Sequence, residues 1–335
     1  MLLEFDMEID AVGRICIGAI LCFILCKVVT TFYVYFICLV IVWLTFKYVE
    51  ETNKRFHSVK SKAVLVTGCD TGFGHHLAVR LAEKGFIVFA GVLHENGNGA
   101  GILRDKTFAN LSVIQLDVTK KTDIQNAVTT VRNAGTGLWS VVNNAGFDIP
   151  GDIELVTLEQ YKKVMETNLW GQISIIKAFL PMIRKSKGRI VNTSSVRGRY
   201  AWPNGSSYHI SKYGIETMSD SLRLEMEKFG VGVSIVEPGW FDEATSIKST
   251  EMCDRVKREC DVTWTEASEE VKKCYGEKYF YLPHKGYLSG ATSPSASSPK
   301  PVLDAIEDAL LNFKPKPRYL IFGGKRYYDP YAMFA

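Results

Sequence analysis

The chain has 335 residues, with 40 Lys and Arg against 36 Asp and Glu, which gives a formal net charge of +4. So small an excess argues against a protein that binds nucleic acid or another polyanion through a broad basic surface. The eight cysteines form no Cys-x-x-Cys pair and no zinc-ligand spacing, so we predict free thiols, a reducing compartment and no metal site. We interpret the adjacent His75 and His76 as surface histidines, because no cluster of further ligands accompanies them.

An apolar segment dominates the start of the chain. Residues 28–46 carry no charge, and their number is close to the roughly 20 residues that a helix needs to cross a bilayer. Residues 15–26 are also apolar, and Lys27 divides the two runs. Three arrangements stay open: a single span from about Val28, one long tilted helix, or a tight re-entrant pair. An apolar core helix of the globular domain is a further alternative. The acidic first ten residues and the missing cleavage site argue against a transit peptide and a signal peptide.

Basic residues are concentrated after the apolar region. Arg14 precedes it, whereas five basic residues follow it: Lys47, Lys54, Arg55, Lys60 and Lys62. Positive residues tend to stay on the cytoplasmic side of a membrane. We therefore predict that residues 1–60 form a membrane anchor and basic linker, in the endoplasmic reticulum, with the catalytic domain in the cytosol. The orientation would change if both apolar runs crossed.

A glycine-rich turn follows the strand predicted at residues 62–67. It leads into residues 73–84, which are apolar at helical spacing, and then into a strand predicted at 86–91. Glycine permits a tight turn and close approach of a pyrophosphate, and a helix N-terminus offers free N–H groups to it. This βαβ context is the one that a dinucleotide-binding turn requires. The residues predicted to bind the cofactor here are Gly68, Asp70, Thr71, Gly72, Phe73 and Gly74.

The charge near the turn favours NAD over NADP. A 2′-phosphate requires a nearby Arg or Lys, but the turn has neither, and Asp70 would repel the phosphate. Residues 91–95, at the end of the second strand, also contain no arginine. They lack the usual aspartate for the ribose hydroxyls as well, so the prediction rests mainly on the exclusion of NADP.

The next two strands end in polar or small residues. Asp117 ends the strand predicted at 112–117, where it would meet the adenine or, equally, cap the following helix. The strand predicted at 139–143 runs into small and amide residues that would let the chain pass close to the cofactor. We predict cofactor contacts there from Asn144, Ala145 and Gly146.

Tyr208 and Lys212 stand four residues apart, so on a helix they share one face. The lysine ammonium would favour the phenolate, which could take a proton from a substrate hydroxyl as hydride leaves the carbon. Ser195, thirteen positions earlier, would hold the same oxygen by a hydrogen bond. A Tyr-x-x-x-Lys pair alone usually means nothing, but the glycine turn in its proper context makes a catalytic pair the stronger interpretation.

These segments and Pro238-Gly239 together resemble the classical short-chain dehydrogenase/reductase family, in its order and at its spacings, over about residues 61–250. The resemblance implies hydride transfer with a nicotinamide cofactor and cofactor contacts from Tyr208, Lys212, Pro238 and Gly239. It also implies that Asn168 is a fourth catalytic residue, which orders a water in a proton relay with the lysine.

The resemblance can be narrowed to one branch. Residues 68–74, 236–239 and 244–246 are similar to the branch that holds 3-hydroxybutyrate dehydrogenase, retinol dehydrogenases and 17β-hydroxysteroid dehydrogenase type 6. Within it, the leader and the chain length resemble an insect member associated with ecdysteroid hormone synthesis.

The rest of the chain completes an α/β fold. Further strands are predicted at 188–193, 231–236 and 318–322, and their alternation with helices predicts a doubly wound parallel (Rossmann-like) sheet in one domain, residues 61–335. The family resemblance implies that an insert at about 240–300 covers the substrate. Residues 286–301, rich in Gly, Ser and Pro, are typical of a loop or linker. Four aromatic residues lie near the predicted mouth of the substrate site. Each would either line an apolar slot for the substrate or have only a packing role: Tyr200, Trp202, Trp240 and Phe241. Arg197 and Arg199 would meet a substrate carboxylate or lie exposed on a loop.

Three functions stay open. The first is oxidation or reduction of a lipophilic alcohol or ketone, such as a steroid, because such substrates partition into membranes. The second is a 3-hydroxybutyrate-type or retinol dehydrogenase. The third is a membrane-tethered NAD-binding scaffold without turnover. An assembly of several copies of the chain also stays open.

Overall fold

The computed structural model describes residues 2–53, 56–245, 249–281 and 295–323, and the chain divides into the units Met1–His57 and Ser58–Ala335. The first unit is one uninterrupted helix, α1 (Leu2–Asn53). Its segment Cys16–Val49 is 34 residues long, has a mean hydropathy of 2.3 and has no buried side chains, so it is long and apolar enough to cross a membrane. Lys27 does not interrupt the helix. This agrees with the long-helix arrangement and argues against a re-entrant pair. Because it is exposed, α1 is not a core helix.

The second unit is built on a seven-stranded parallel sheet with the order β3-β2-β1-β4-β5-β6-β7. This confirms the predicted doubly wound fold, and every strand end lies within two residues of its predicted position. The strands are β1 (Ala63–Thr67), β2 (Ile87–Val92), β3 (Leu111–Gln115), β4 (Ser140–Asn143), β5 (Arg189–Thr193), β6 (Gly232–Pro238) and β7 (Arg318–Ile321).

Helices connect the strands and cover both faces of the sheet. They are α2 (Gly72–Glu83), α3 (Asn98–Asp105), α4 (Lys121–Asn133), α5 (Leu158–Met165), α6 (Gln172–Ser186), α7 (Ser206–Glu227), α8 (Thr250–Glu266), α9 (Glu269–Tyr275) and α10 (Lys300–Leu311). A π-helical turn, Glu166–Gly171, joins α5 to α6 without a break.

Two hydrophobic clusters fill the space between the sheet and its helices. Successive residues of β1 point to opposite faces, so Val64 and Val66 belong to one cluster and Ala63 and Leu65 to the other. Strands covered on both faces read as continuous apolar runs, which is why they were visible in the sequence.

A third, smaller cluster lies under α8 and α9. It joins Leu155 to Val256, Cys260 and Phe280, so these helices have a core of their own. The predicted linker falls mostly on residues 282–294, outside the described residues, as does Ser246 of the branch motif. The last two residues of the predicted linker, Lys300 and Pro301, instead form the start of α10.

The topology determines where a ligand would bind. The chain turns outward in opposite directions from β1 and β4, which are neighbours in the sheet. In such sheets ligands bind at the carboxyl ends of the strands, beside this switch point. The glycine turn follows β1, and the segment Asn144–Gly146 follows β4.

Candidate active site

The glycine turn adopts backbone conformations that other residues rarely reach. Gly68 and Gly72 have φ values of 69° and 61°. A Cβ on Gly74 would lie 2.2 Å from the Gly68 carbonyl oxygen, so a side chain is excluded there. The Thr71 side chain makes no capping hydrogen bond to the N-terminus of α2, which leaves the first N–H groups of the helix directed at the space a pyrophosphate would fill. The turn therefore fits a dinucleotide.

Asn144 and Thr67 fasten the turn to the end of β4. The Asn144 amide donates to the carbonyl oxygens of Thr67 and Gly68 at 3.0 and 3.1 Å. In return, the Thr67 hydroxyl accepts from the N–H groups of Asn144 and Ala145, both at 3.0 Å. A Cβ on Gly68 would lie 2.8 Å from the Cα of Ala145, so the two segments are in close contact.

Asp70 lies against the end of β2. Its carboxylate accepts from the N–H of Leu93 at 2.8 and 3.0 Å and from the N–H of His94 at 3.3 Å. The sequence lacks the usual aspartate at this strand end, but the fold brings one there from the glycine turn. A negative charge thus lies where the ribose of a dinucleotide is bound in this type of fold.

Asp117 lies beyond the end of β3 and is half-buried. Its carboxylate accepts from the N–H and the hydroxyl of Thr119 at 3.0 and 2.7 Å and lies 3.5 Å from the Lys120 ammonium. Burial raises its pKa, but the Thr119 and Lys120 contacts outweigh burial and hold the pKa below its usual value. Asp117 thus holds the turn that precedes α4 but does not cap the helix, whose N-cap residue is Lys120 and has no side-chain cap. It lies at the end of β3, on the cofactor side of the site.

Asn168 is fully buried in the π-helical turn. Its side chain accepts from the N–H of Phe147 at 2.9 Å, and its amide donates to the Phe147 carbonyl at 2.8 Å and to the Ser211 hydroxyl at 3.0 Å. A Cβ on Gly146 would lie 3.1 Å from the Asn168 Oδ1. Asn168 therefore joins the segment after β4 to the helix that carries Tyr208. Turns of this type are frequent at functional sites.

Ser195 follows β5 at the same edge of the sheet. Its hydroxyl accepts from the N–H of Arg197 at 3.2 Å and donates to the Pro238 carbonyl at 3.3 Å. Gly239 follows directly, and a Cβ there would lie 2.2 Å from the Phe322 carbonyl oxygen, so the chain is tightly packed at this point. Ser195 is buried, and its hydroxyl lowers the pKa of Tyr208.

Tyr208 and Lys212 share one face of α7, with the lysine Nζ 5.3 Å from the centroid of the tyrosine ring. The ammonium is buried and donates to the Thr193 carbonyl at 2.9 Å. Burial lowers the pKa of Lys212 to about 8, against the raising effects of Glu216 and Asp148.

The pKa of Tyr208 differs from the sequence-based expectation. Burial and the Asp148 carboxylate raise it to about 12, although Arg197 and the Ser195 hydroxyl act in the opposite direction. The expected lowering by Lys212 is not found: the groups that lower this pKa are Arg197 and Ser195, and the Lys212 ammonium donates to the Thr193 carbonyl. In this state Tyr208 is a phenol, the form that donates a proton.

Asp148 is an acidic group in the site that the sequence analysis missed. Its Oδ2 lies 3.5 Å from the Arg197 Nη1, and the Arg255 guanidinium of α8 lies 4.5 Å from the centroid of the neighbouring Phe147 ring. Burial raises the pKa of Asp148 to about 6, against the effects of Arg197, Arg255 and Lys212. Its position directly after the Asn-Ala-Gly segment was the available signal.

The other arginine near Ser195 is also paired. The Arg199 Nε lies 2.7 Å from the Oε1 of Glu237, which is fully buried. Neither Arg197 nor Arg199 is therefore a plain exposed loop arginine. Of the four aromatic residues predicted at the mouth, Phe241 is buried and packs edge-on against Phe73 at 5.5 Å, so it has the packing role.

The family description "short chain dehydrogenase" matches residues 62–254. The chain belongs to the short-chain dehydrogenase family. The mitochondrial D-beta-hydroxybutyrate dehydrogenase of Rattus norvegicus is 42% identical over 271 residues, which cover 78% of this chain and 77% of that protein.

Two other relatives act on different alcohols by name. Retinol dehydrogenase 16 of Mus musculus is 38% identical, over 86% of this chain and 88% of its own length. The 17-beta-hydroxysteroid dehydrogenase type 6 of Bos taurus is 40% identical, over 78% of this chain and 80% of its own length. The predicted branch is thereby confirmed. The chain is an NAD(P)-dependent oxidoreductase that acts on CH–OH groups, and the scaffold alternative is set aside.

Solved structures agree on the fold. A short-chain dehydrogenase from Streptomyces avermitilis has a TM-score of 0.61 and 24% identity, and covers 78% of this chain and 89% of its own. ElxO with NADP bound has a TM-score of 0.58 and 19% identity, and the match covers 78% of this chain and 96% of the ElxO chain. At these identities the likeness concerns architecture alone.

All predicted site residues lie in the part of the chain that the structure describes, and the fold brings most of them to one edge of the sheet. They come from the ends of β1, β4, β5 and β6 and from the inward face of α7. Sequence reasoning missed Thr67 and Asp148, and also the two buried glutamates Glu216 and Glu237.

Proposed function

We propose that this short-chain dehydrogenase transfers a hydride between NAD(H) and a secondary alcohol or ketone of a neutral, lipophilic substrate, a steroid in particular. The observation that supports this most is the pairing of the two arginines beside Ser195. Arg197 faces Asp148, and Arg199 faces Glu237, so each positive charge already has a carboxylate beside it. A substrate carboxylate would have to compete with both, whereas a neutral substrate would not.

The four proposed catalytic residues divide the proton chemistry between them. The bound nicotinamide supplies or accepts the hydride. Tyr208 exchanges the proton with the substrate oxygen, and Ser195 holds that oxygen by a hydrogen bond. Lys212 holds the cofactor ribose and supplies the positive charge beside Tyr208, and Asn168 orders the water of the relay.

NAD is the proposed cofactor because of Asp70. Its carboxylate is bound to two N–H groups at the end of β2, so its charge stays fixed at the ribose position. A 2′-phosphate there would meet a negative charge at close range. Its own turn contributes Gly68, Gly72, Gly74, Thr71 and Phe73, and the neighbouring strand ends contribute Asp117, Asn144, Ala145, Gly146, Pro238 and Gly239.

The proposed division of the chain is an anchor at residues 1–60 and a catalytic domain at 61–335, with the substrate-covering insert at about 240–300. The exposed, apolar α1 supports a membrane anchor, and the basic residues after it support a cytosolic catalytic domain at the endoplasmic reticulum. Ecdysteroid biosynthesis is the finer proposal that follows from the resemblance of the leader.

A hydroxy-acid substrate is the second candidate. One observation favours it. The guanidinium of Arg255, in α8, lies over the Phe147 ring and lowers the pKa of Asp148, so a third arginine is close to this segment. If this arginine binds a substrate carboxylate, 3-hydroxybutyrate would be a substrate. A retinol dehydrogenase is the remaining alternative, because it shares the neutral, lipophilic chemistry of a steroid enzyme.

A substrate panel tests the choice. We would incubate the full-length, detergent-solubilised protein with NAD+ and a hydroxysteroid, retinol or 3-hydroxybutyrate, and measure NADH formation. We expect turnover of the hydroxysteroid, and Arg255→Gln should leave its KM within about threefold. Turnover of 3-hydroxybutyrate alone, with a KM that Arg255→Gln raises about tenfold or more, would establish the second candidate instead.

The anchor is tested separately. Full-length protein should resist alkaline carbonate extraction from microsomes, and a chain without residues 1–50 should be released. Protease added to sealed microsomes should digest the catalytic domain. Protection of that domain while the vesicles stay sealed would mean that it lies in the lumen, contrary to the proposed topology.

A further inference from the structure

Two buried glutamates near Lys212 have no part in the chemistry proposed above. Glu216 follows Lys212 by four residues on α7, so the two side chains share a face. Glu237 lies in β6, just before Pro238. Their side chains are 8% and 0% exposed, so both carboxyl groups are removed from water. Burial of this kind is costly unless the charges are compensated.

Gly198 shows how closely this region packs. A Cβ on it would lie 2.7 Å from the Ser194 Oγ, 3.1 Å from the Lys212 carbonyl oxygen and 3.2 Å from the Glu216 Cγ. The loop after β5 therefore presses directly on the turn of α7 that carries Lys212 and Glu216.

Two arginines compensate the two carboxylates. The Arg318 Nη2 lies 3.2 Å from the Glu216 Oε2, and the Arg199 Nε lies 2.7 Å from the Glu237 Oε1. The Arg318 Nε also lies 3.9 Å from that same Glu237 oxygen. Both Nη atoms of Arg318 also bind the Asp220 carboxylate, at 2.8 and 2.7 Å. The cluster thus contains two arginines and three carboxylates, and the arginines favour the ionised form of the buried Glu216.

Lys212 needs such a charge nearby. Its hydrogen-bond partner, the Thr193 carbonyl, is neutral, and burial favours the uncharged amine. We propose that Glu216 is a positioning residue that keeps Lys212 protonated, with Arg318 and Arg199 holding the Glu216 carboxylate ionised. This inference rests on the role proposed above for Lys212 at the cofactor ribose.

The electrostatic directions agree with this arrangement. Burial lowers the pKa of Lys212, and Glu216 is the strongest group that raises it, followed by Asp148. Burial and Glu237 raise the pKa of Glu216 to about 7, against the lowering effects of Ser194, Arg318 and Arg199, so most of the carboxylate is ionised near pH 8, where Lys212 titrates. Removal of the Glu216 charge should therefore lower the pKa of Lys212, so that the ammonium is lost at a lower pH.

The test is the pH dependence of NADH binding, measured by fluorescence on the full-length, detergent-solubilised protein between about pH 6.5 and 9.5. In the wild type, affinity should fall as Lys212 loses its proton. Glu216→Gln should move the midpoint of this fall about one pH unit lower. Glu237→Gln is the matched control, because it removes a buried carboxylate of the same cluster that is not among the groups that raise the pKa of Lys212. Its midpoint should not fall, because the loss of Glu237 favours the ionised form of Glu216.

Equal shifts in the two variants, or no shift in Glu216→Gln, would overturn the inference. Arg318→Gln provides a second variant if Glu216→Gln fails to fold. It should also lower the midpoint, because Glu216 then stays protonated to a higher pH. The simple loss of a positive charge near Lys212 would instead raise the midpoint, and that result would overturn the inference too. A failure of the proposed function is distinct: no alcohol is turned over, while the binding midpoints can still be measured.

Discussion

The part of the site beside β1 and β4, here called the cofactor edge, differs in construction from the part beside β5 and β6, here called the substrate edge. Beside β1 and β4, positions are determined by the backbone: glycines without room for a Cβ, free N–H groups at the start of α2, and an amide that bonds to carbonyls. Beside β5 and β6, they are determined by charged side chains, such as the Asp148–Arg197 and Glu237–Arg199 pairs. The first region therefore depends on positions without side chains, whereas the second depends on charges that are paired.

The largest effect should come from the substrate edge, at Tyr208. Tyr208→Phe removes the hydroxyl and little volume, so turnover should fall by about 10²–10⁴-fold while the Kd for NADH stays within about twofold. Tyr213→Phe, on an exposed tyrosine of the same helix, is the control and should keep full activity. Activity of Tyr208→Phe within about tenfold of wild type would refute the general acid/base assignment.

The backbone character of the cofactor edge is tested at Gly74. In Gly74→Ala the new Cβ would lie 2.2 Å from the Gly68 carbonyl oxygen and 2.5 Å from the Asn144 Nδ2. We expect a loss of about 1–3 kcal/mol in the free energy of unfolding and at least about tenfold weaker NADH binding. Gly101→Ala in α3 is the control, because no heavy atom lies within 4 Å of its Cβ. It should stabilise the protein slightly. Equal behaviour of the two variants would contradict the close packing.

Asp70 is the one charged group at the cofactor edge for which we predict a change in selectivity. Asp70→Arg replaces a repelling charge by a pairing one and should raise the affinity for NADP(H) relative to NAD(H) about tenfold. Asp70→Asn should give a smaller change, because it removes the repulsion only. The test is to measure the dissociation constants of NAD(H) and NADP(H) for the wild type and both variants. An unchanged ratio in Asp70→Arg would mean that the residue does not face the ribose.

The smallest effect should be a shift of the pH profile in Asp148→Asn. The Asp148 carboxylate raises the pKa of Tyr208, so its removal should lower that pKa. Alcohol oxidation needs the deprotonated tyrosine, and the acid side of the kcat/KM profile should move to lower pH by about half a unit. Asp105→Asn, at an exposed position of α3, should leave the profile in place. A shift to higher pH would show that Asp148 acts by another route.

The same contrast explains what could be predicted from the sequence. The strands, the glycine turn and the Tyr-x-x-x-Lys spacing are local patterns, each imposed by the backbone geometry of one element. Asn168 was accessible through family resemblance alone, because a π-helical turn has no clear sequence signal.

Pairs formed across the fold could not be read in this way. Asp148 and Arg197 are 49 residues apart in sequence, and nothing local in either segment indicates the other. The same holds for the charge that Asp70 brings to the end of β2, which compensates for a residue that the strand itself lacks. The elevated pKa of Tyr208 was also missed, because burial depends on the whole packed site.

As the proposed membrane anchor, the 34-residue apolar stretch of α1 would change the substrate concentration that this enzyme meets. An enzyme held at a bilayer meets a lipophilic substrate at the mole fraction that the substrate reaches among the lipids, not at its nominal concentration in the buffer. Added lipid or detergent then dilutes the substrate in two dimensions, and the apparent KM rises in proportion to the amphiphile present. Kinetic constants for such a tethered dehydrogenase are therefore comparable only at a fixed ratio of substrate to amphiphile.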